Sequence, residues 1–289
     1  MSSGCSGARR DGPRLAGNPS RCVRLIRDTV SVDDAELVRA IEDNAAELLM
    51  AMGAAGGGVQ REDAAARWTI GGSPIDYHNA VVAAPGDVDA VIAESLAELE
   101  NHGVPGSWHA GPSMRSNGLG ERLVAAGFAS GGSEPGMAVR LDELRTPAVV
   151  PGLEIVRVRD DDALATWEGT LGRGFGEGER EARWVAEVYR KLGYGDPWRH
   201  YLGRLDGEPV ATTTIFLGAG VAGVYFVMTI PEARRRGIGA AITYAALREA
   251  EAVAEYGVLG SSPAGRSVYA GLGFREYCTI ELYEWTPTG

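Results

Sequence analysis

The arginines and glycines of Arg234–Gly239 are the residues whose types and spacing suit chemistry most directly. They follow a β-branched and aromatic segment at 223–229 that predicts a buried strand, which Pro231 ends because proline cannot donate to a ladder. The apolar pattern after Gly239 predicts a helix. The first amides of a helix have no internal partners, and glycine lets a ligand approach the backbone closely. The segment therefore predicts an anion site, for example for a pyrophosphate.

Two other phosphate-binding patterns are excluded because the sequence lacks residues that they require. The Walker pattern needs Gly-Lys-Ser/Thr, but the only lysine of the chain is Lys191. The dinucleotide pattern needs a third glycine at the position of Ile242. What remains is Arg-x-x-Gly-x-Gly after a strand, and this resembles the acetyl-coenzyme A signature of the GCN5-related N-acetyltransferase (GNAT) superfamily. A solvated basic helix start is the plain alternative.

The resemblance implies that acetyl-CoA is the acyl-donor co-substrate. In the family, the fourth strand bulges and splays from the fifth, and its free amides bind the pantetheine arm and polarise the thioester carbonyl. By position, these amides belong to Val227, Met228 and Thr229. The implied pyrophosphate site comprises Arg234, which matches the first basic residue of the motif, and the segment that follows it, Arg235, Arg236, Gly237, Ile238, Gly239 and Ala240.

A second motif runs from Ser261 to Phe274 and contains Tyr269 followed by x-x-x-Gly-Phe. The resemblance implies that the Tyr269 hydroxyl lies near the coenzyme sulfur and protonates the leaving thiolate. A phenol is a reasonable acid for this step, since the reference pKa values of phenol and thiol are about 10 and about 8.5. A core tyrosine packed on Phe274 is the alternative. Ser262, where the family often has Asn, is the implied contact to the pantetheine arm.

The reaction needs a group that removes a proton from the acceptor ammonium. Many family members place a glutamate on the fourth strand, but Val221–Thr229 contains no acid. The base is then a water chain or an acid from elsewhere, and each single candidate has a solvated surface role as its alternative. The candidates are Glu177 and Glu179 from the region of the glycine-rich 172–178 loop, and Asp76 and His78 from the first half. We predict Glu177 as the catalytic one.

The elements that must position these residues follow a recognisable order in the second half of the chain. The predicted elements are a strand at 153–158, helices at 160–171 and 179–192, and a hairpin of 200–205 and 209–217. The strand at 223–229 and the helix after it follow, and then a strand at 257–260, a helix at 265–272 and a strand at 277–285. This order resembles the GNAT fold along its whole length.

The first half repeats a similar order without Arg-x-x-Gly-x-Gly. Its predicted elements are a helix at 32–52 capped by Ser31, strands at 67–70 and 79–82, a helix at 88–102, a strand at 107–110, a helix at 119–126 and a strand at 137–141. The fold class is therefore α/β (mixed α+β), with two GNAT-like units, each a mixed, mostly antiparallel sheet flanked by helices.

These patterns divide the chain into three parts. Residues 1–30 are rich in Ser, Gly, Arg and Pro and predict a disordered tail. Residues 31–147 predict a degenerate GNAT-like domain, and residues 148–289 predict the catalytic GNAT domain. Two prolines within 142–151 indicate the linker between the two domains.

Composition excludes several partners. The formal net charge is −11 and both halves are acidic, which argues against nucleic acid and mildly favours amine substrates. Cys5, Cys22 and Cys278 show no CxxC spacing and indicate free thiols in a reducing cytoplasm. The histidines lack metal-ligand spacing, so no metal is expected. No apolar run has the length of a membrane span. The sequence leaves the oligomeric state open, with a homodimer as one arrangement.

Two functional hypotheses follow. The first is an acetyl-CoA-dependent N-acetyltransferase that moves an acetyl group directly to a primary amine of a small molecule, with Tyr269 as general acid. A longer acyl group or a hydroxyl acceptor stays within this class. The alternative is a non-catalytic acyl-CoA-binding regulatory protein, suggested by the missing acid on the fourth strand and by the degenerate first half. The retained Tyr269 favours the enzyme.

Overall fold

The computed structural model describes residues 33–114 and 118–287, so the predicted tail at 1–30 and the predicted cap Ser31 lie outside the described residues. The first half comprises α1 (Asp34–Gly56), β1 (Val59–Glu62), β2 (Arg67–Ile70), a 3₁₀ turn (Asp76–His78), β3 (Ala80–Ala83), α2 (Val88–His102), β4 (Gly106–Ala110), α3 (Leu119–Ala125) and β5 (Ala129–Arg140). In the described ranges, no helix is both long and apolar enough to cross a bilayer.

The second half follows the predicted order. It comprises β6 (Leu153–Arg157), α4 (Asp161–Leu171), α5 (Glu179–Leu192), β7 (Trp198–Leu205), β8 (Glu208–Gly218), β9 (Val221–Thr229), α6 (Ile238–Ala250), β10 (Tyr256–Gly260), α7 (Arg266–Leu272) and β11 (Arg275–Trp285). The predicted helices and strands of both halves are confirmed. Sequence reasoning missed β1, and it began β5 at Met137 although that strand starts at Ala129.

Helix α1 differs from its prediction at both ends. Its N-cap is Asp33, whose carboxylate accepts from the Glu36 amide at 2.7 Å while Glu36 accepts from the Asp33 amide at 3.2 Å. This reciprocal capping box satisfies two helix-terminal donors and fixes the start at Asp34. The helix continues past Gly53 to Gly56, and Gly53 packs so closely against β2 that a Cβ would lie 1.9 Å from Thr69 Oγ1. Gly57, with φ of 92°, ends it.

The two halves build one continuous sheet of eleven strands. Its order is β1-β2-β3-β4-β11-β5-β10-β9-β8-β7-β6. The last strand of the chain therefore enters the first half between β4 and β5, and the last strand of the first half lies between β11 and β10. The mixed α/β class is confirmed, and the exchange of β5 and β11 joins the two predicted GNAT-like sheets edge to edge.

Strand β5 connects the first half to the second. It pairs antiparallel with β11 from Arg275–Ala138 to Glu284–Ala129, and with β10 from Tyr256–Arg140 to Gly260–Gly136. Strand β5, from the first half, therefore lies directly beside β10, and β10 is the neighbour of β9, the strand of the predicted site.

The main hydrophobic core also spans the two halves. Leu49 and Met52 of α1 belong to the same buried cluster as Val185 of α5 and Phe216 of β8. A second, smaller cluster lies in the first half around Trp68 and other residues of β2–β4, α2 and α3. Helix α1 is thus part of the first half in sequence but packs into the core of the second half.

Candidate active site between the two halves

The candidate site begins where β9 parts from β10. These two strands are parallel neighbours, paired through Gly257–Ala222 and Val258–Gly223. Strand β9 then continues to Thr229, whereas β10 ends at Gly260. The predicted splaying of the fourth strand from the fifth is confirmed, and the edge of β9 after Gly223 faces an opening.

Strand β9 carries the predicted bulge at Phe226. Its pairing with β8 shifts register between Thr212 and Thr214, and Phe226 has a φ of 52°, in the left-handed region. The Thr212 hydroxyl donates to the Phe226 carbonyl at 2.9 Å, which holds the bulge in place.

Alternation along β9 decides which of the predicted amides face the opening. The Ile230 amide donates to the Val210 carbonyl, on the β8 side, at 2.9 Å. Because strand amides alternate in direction, the Met228 amide also points towards β8. The amides of Val227 and Thr229 therefore point into the opening.

Helix α6 begins at the end of this edge without a side-chain cap. Gly237, its N-cap, has a φ of 81° and makes no side-chain cap hydrogen bond. The Ala241 amide is bonded to the Gly237 carbonyl at 3.0 Å. The preceding amides of Ile238, Gly239 and Ala240 belong to the first turn, which has no intrahelical acceptors. These amides are the ones that the sequence assigns to the anion site, which stays a prediction.

The three arginines of the motif have different surroundings. Arg234 donates from Nε to the Thr229 carbonyl at 3.0 Å and from Nη2 to the Gly174 carbonyl at 3.2 Å. It ties the end of β9 to the 172–178 loop. Arg235 and Arg236 are exposed beside the start of α6.

A cavity of about 350 Å³ lies next to the opening, between the two halves. Its walls come from α1, the 3₁₀ turn, β5, the 172–178 loop, β9, β10 and α7. The polar and charged residues that line it are Glu42, Asp76, Tyr77, His78, His109, Glu134, Glu177, Glu181, Tyr225, Ser262 and Tyr269. The structure therefore brings the predicted Tyr269, Ser262 and Glu177 to one cavity, together with Asp76 and His78 from the first half. Glu179, at the start of α5, is not part of its wall.

Tyr269 packs on Phe274 and also lines the cavity, and its role as general acid stays a prediction. Its side chain is 9% exposed, and its ring centroid lies 5.8 Å from that of Phe274. It also lines the cavity. Burial, and after it the charge of Glu134, raises the pKa of the Tyr269 hydroxyl, so that it holds its proton at neutral pH.

Glu134 of β5 is the site residue that sequence reasoning missed. It accepts a hydrogen bond from the Tyr77 hydroxyl at 3.2 Å, and a Cβ on Gly260 would lie 2.9 Å from its Oε2. Burial raises the pKa of its carboxyl group, against the opposing hydrogen bond from Tyr77. The strand exchange places this first-half carboxylate at the end of β10. Local sequence carried no signal for it, because Glu134 lies in a glycine-containing segment before the predicted strand.

A buried ion pair joins the halves across the cavity. His78 Nε2 lies 3.0 Å from Glu181 Oε1, and Glu181 also accepts from the Glu177 amide at 3.1 Å. Burial alone would raise the pKa of Glu181, but the hydrogen bond and charge of His78 outweigh burial and lower it. Glu177 itself is exposed and ion-paired with Arg180 at 3.0 Å.

Helix α1 fixes the one titratable residue of β9. The Tyr225 hydroxyl donates to Asn44 Oδ1 at 2.6 Å, and Asn44 Nδ2 donates to the carbonyls of Gly218 at 2.8 Å and Phe216 at 3.4 Å. Burial, and after it the charges of Glu134 and Glu47, raises the pKa of Tyr225. Its hydroxyl thus stays protonated and engaged with α1.

Two comparisons of the sequence gave different outcomes. Residues 140–258 match the family model described as "Acetyltransferase (GNAT) domain". This range contains β6–β9, α4–α6 and the start of β10, and it ends before Tyr269. No curated protein matches the chain.

Solved structures share the fold over most of the chain. A GCN5-related N-acetyltransferase from Kribbella flavida is 20% identical with a TM-score of 0.63, and the match covers 85% of this chain and 96% of that one. A conserved protein of unknown function from Staphylococcus epidermidis is 14% identical with a TM-score of 0.63, covering 80% and 95%.

A tandem GNAT protein from the clavulanic acid biosynthesis pathway is 16% identical with a TM-score of 0.51, covering 69% of this chain and 70% of that one. At these identities, the likeness concerns the fold. The match at 140–258 shows that the chain contains an acetyltransferase domain of the GNAT type, and the solved structures share its fold.

Proposed function

We propose that this chain transfers the acetyl group of acetyl-CoA directly to a primary amine of a small molecule. The observation that carries the proposal is the parting of β9 from β10, which leads from a polar cavity to the uncapped start of α6. Open strand amides at one end and free helix amides at the other suit a long ligand that ends in a pyrophosphate.

The residues present fit this co-substrate. The amides of Val227 and Thr229 would bind the pantetheine arm, and Ser262 at the cavity wall would contact it. The amides of Arg235–Ala240 would bind the pyrophosphate, with the side chains of Arg235 and Arg236 adding positive charge. Arg234 would position this turn by holding Thr229 and Gly174.

The reaction replaces a carbon–sulfur bond with a carbon–nitrogen bond. Bound acetyl-CoA would supply the acetyl group as an activated thioester. Glu134 takes one proton from the acceptor ammonium, so that the neutral amine attacks the carbonyl carbon. Tyr269 donates its proton to the departing thiolate, and the second proton lost from the nitrogen restores the Tyr269 hydroxyl. The amide of Val227 or Thr229 stabilises the charge that develops on the carbonyl oxygen.

Glu134 suits the role of base better than Glu177. Glu134 is largely buried and its pKa is raised, which makes its carboxylate a stronger base near neutral pH. Glu177 is exposed and its carboxylate pairs with Arg180. The sequence-based role of Glu177 stays a prediction, and the contacts favour Glu134.

The test is turnover by the full chain. Purified protein is incubated with acetyl-CoA and a panel of small amines while free thiol is followed, and mass spectrometry identifies the acetylated amine. Thiol release that depends on the amine and matches the acetylated product supports the proposal. Binding of acetyl-CoA without turnover across a broad panel would favour the non-catalytic regulator, and no binding at all would contradict both.

A further inference from the structure

Resting on that proposed function, we infer that the acceptor is a primary amine on an apolar skeleton that carries no carboxylate or phosphate. The cavity of about 350 Å³ between the halves is the site of this acceptor. That volume lies at the lower end of small-molecule sites.

The charges around the cavity exclude an anionic group. Among the described residues that line it, five are acidic and none is lysine or arginine: Glu42, Asp76, Glu134, Glu177 and Glu181. Glu177 is paired with Arg180, and Glu181 engages His78. A carboxylate or phosphate on the ligand would lie beside Glu134 and Asp76 with no lysine or arginine among the described lining residues to pair with it, and burying an unpaired charge is strongly unfavourable. The ammonium group of an amine would instead be attracted by these acidic side chains.

The hydrogen-bonding capacity of the cavity also favours a donor. Glu181 is a carboxylate and only accepts, so a ring proton of His78 lies on Nε2, where the contact to Glu181 Oε1 is 3.0 Å. This contact already engages that proton of His78.

The protons of two neighbouring hydroxyl groups are already engaged. Tyr77 donates to Glu134, and Tyr225 donates to Asn44. These groups therefore offer mainly lone pairs to the cavity. An ammonium carries three donors and no acceptor, which complements them.

The remaining wall is apolar and comes from both halves. It includes Leu49 of α1, Ile75 before the 3₁₀ turn, Phe175 of the 172–178 loop, Phe226 of β9, Val258 of β10 and Ile280 of β11. Such a wall stabilises hydrocarbon or aromatic surface, at about 25 cal/mol for each Å² removed from water. The hydroxyls of an amino sugar would find few partners here.

Matched acceptor pairs test the inference. Phenethylamine and phenylalanine differ by one carboxylate, and hexylamine and glucosamine compare an apolar with a polyhydroxylated skeleton. We expect kcat/KM for phenethylamine to exceed that for phenylalanine by about 100-fold or more, because the extra carboxylate lies unpaired in the cavity. We expect hexylamine to exceed glucosamine in the same assay.

Calorimetry separates failure of the inference from failure of the proposed function. A chain that does not bind acetyl-CoA contradicts the proposed function itself. A chain that binds acetyl-CoA but prefers phenylalanine or glucosamine overturns the acceptor class alone. A chain that binds acetyl-CoA and acetylates none of the four also overturns the acceptor class, and the broad amine panel then decides whether the proposed function fails with it. A titration of coenzyme-free protein adds a readout without turnover, in which phenethylamine binds and phenylalanine does not.

A pair of variants tests the role of His78. Glu181→Gln removes one acidic group of the cavity and the carboxylate that engages His78, and we expect KM for phenethylamine to rise about tenfold while acetyl-CoA affinity is unchanged. The matched control is Glu98→Gln, which alters the partly exposed Glu98–His102 pair, at 3.7 Å and away from the cavity, and leaves KM unchanged. An unchanged KM in Glu181→Gln contradicts the donor-accepting cavity.

Discussion

The starts of α2 and α6 occupy corresponding places in the two halves but are built in opposite ways. Each helix follows a strand that pairs in parallel with a neighbour over two positions, Ala80–Ser107 and Val81–Trp108 in β3–β4, and likewise in β9–β10. The α2 start is capped by Asp87, whose carboxylate accepts from the amides of Asp89 at 3.1 Å and Ala90 at 3.5 Å. The α6 start at Gly237 has no side-chain cap.

The difference between the two helix starts indicates which features favour binding of a phosphate. In the first half, the chain supplies its own anion to the helix amides, and β3 ends at Ala83 without a long free edge. In the second half, the amides are left for a ligand and β9 continues to Thr229. The contrast supports the proposal that the first half is degenerate as a coenzyme site. It contributes instead α1, His78 and Glu134 to the cavity of the second half.

The largest expected effect comes from making α6 resemble α2. Gly237→Asp places a carboxylate at the uncapped helix start, and we expect acetyl-CoA affinity to fall by about 100-fold or more, because like charges then compete for the same amides. Gly237→Asn is the control of equal shape, and both side chains tolerate the left-handed conformation. Calorimetry should show that Asn stays within about tenfold of wild type. Equal losses in both variants would point to backbone strain instead of charge.

A second substitution tests the contribution of Glu134, a residue of the first half, to the cavity of the second half. Glu134→Gln should lower kcat by about 100-fold at neutral pH, because the amide cannot accept the ammonium proton. The pH profile of wild-type kcat should fall on the acidic side as Glu134 becomes protonated, at a pH above that of an ordinary carboxyl group because burial raises its pKa. The control is Glu284→Gln on β11, whose pKa is also raised by burial but which does not line the cavity.

The same variant makes a signed prediction about stability. Because the pKa of Glu134 is raised on folding, the folded chain binds this proton more tightly than the unfolded chain. The stabilisation from the protonated group is present below the unfolded pKa and is lost as pH rises through the folded pKa. Glu134→Gln removes that loss, so its melting temperature at neutral pH should equal or exceed that of wild type. A much lower value would mean that the kinetic effect comes from misfolding.

Tyr269→Phe tests the acid that belongs to the second half itself. We expect kcat to fall, at the lower end of the range of about 100-fold or more for general acid–base catalysis, because the thiolate leaves without a proton donor. Acetyl-CoA affinity should be nearly unchanged. Tyr244→Phe on α6, whose hydroxyl contacts Thr146 at 3.2 Å outside the cavity, is the control. Unchanged turnover in Tyr269→Phe would contradict the acid assignment and leave Tyr269 as a packing residue against Phe274.

Asn44→Ala tests the structural attachment of the first half. The substitution leaves the Tyr225 hydroxyl and the Gly218 carbonyl without their partner in a buried place, and we expect a loss of about 3 kcal/mol in the free energy of unfolding. Denaturant titration measures this loss. Asn101→Ala, on the exposed face of α2, should change stability by less than about 0.5 kcal/mol. Similar losses in both variants would show that α1 does not depend on this contact.

The smallest effect is expected at the α2 start. Asp87→Ala removes the cap and should cost about 1 kcal/mol of stability. It should not create a second coenzyme site, because β3 still lacks the free strand edge. If calorimetry showed an additional equivalent of acetyl-CoA bound to this variant, the cap alone would be what prevents coenzyme binding by the first half.

Local pattern was enough to predict the elements of both halves, because these depend on short-range rules. The glycine and arginine turn before α6 and Gly103 after α2 follow from neighbouring residues and are found where expected, whereas the bulge in β9 was implied by the family resemblance. The location of Glu134 could not be predicted, since it depends on the exchange of β5 and β11 between sequence-distant halves. The contact of Asn44 with Tyr225 is equally non-local.

The number of acetyl-CoA molecules bound per chain decides whether the α6 end is the coenzyme site. In an isothermal titration of the full chain, we expect one equivalent per chain in the wild type, loss of that equivalent in Gly237→Asp, and its retention in Gly237→Asn. Two equivalents per chain, or a single equivalent that persists unchanged in Gly237→Asp, would contradict the claim that only the α6 end binds the coenzyme.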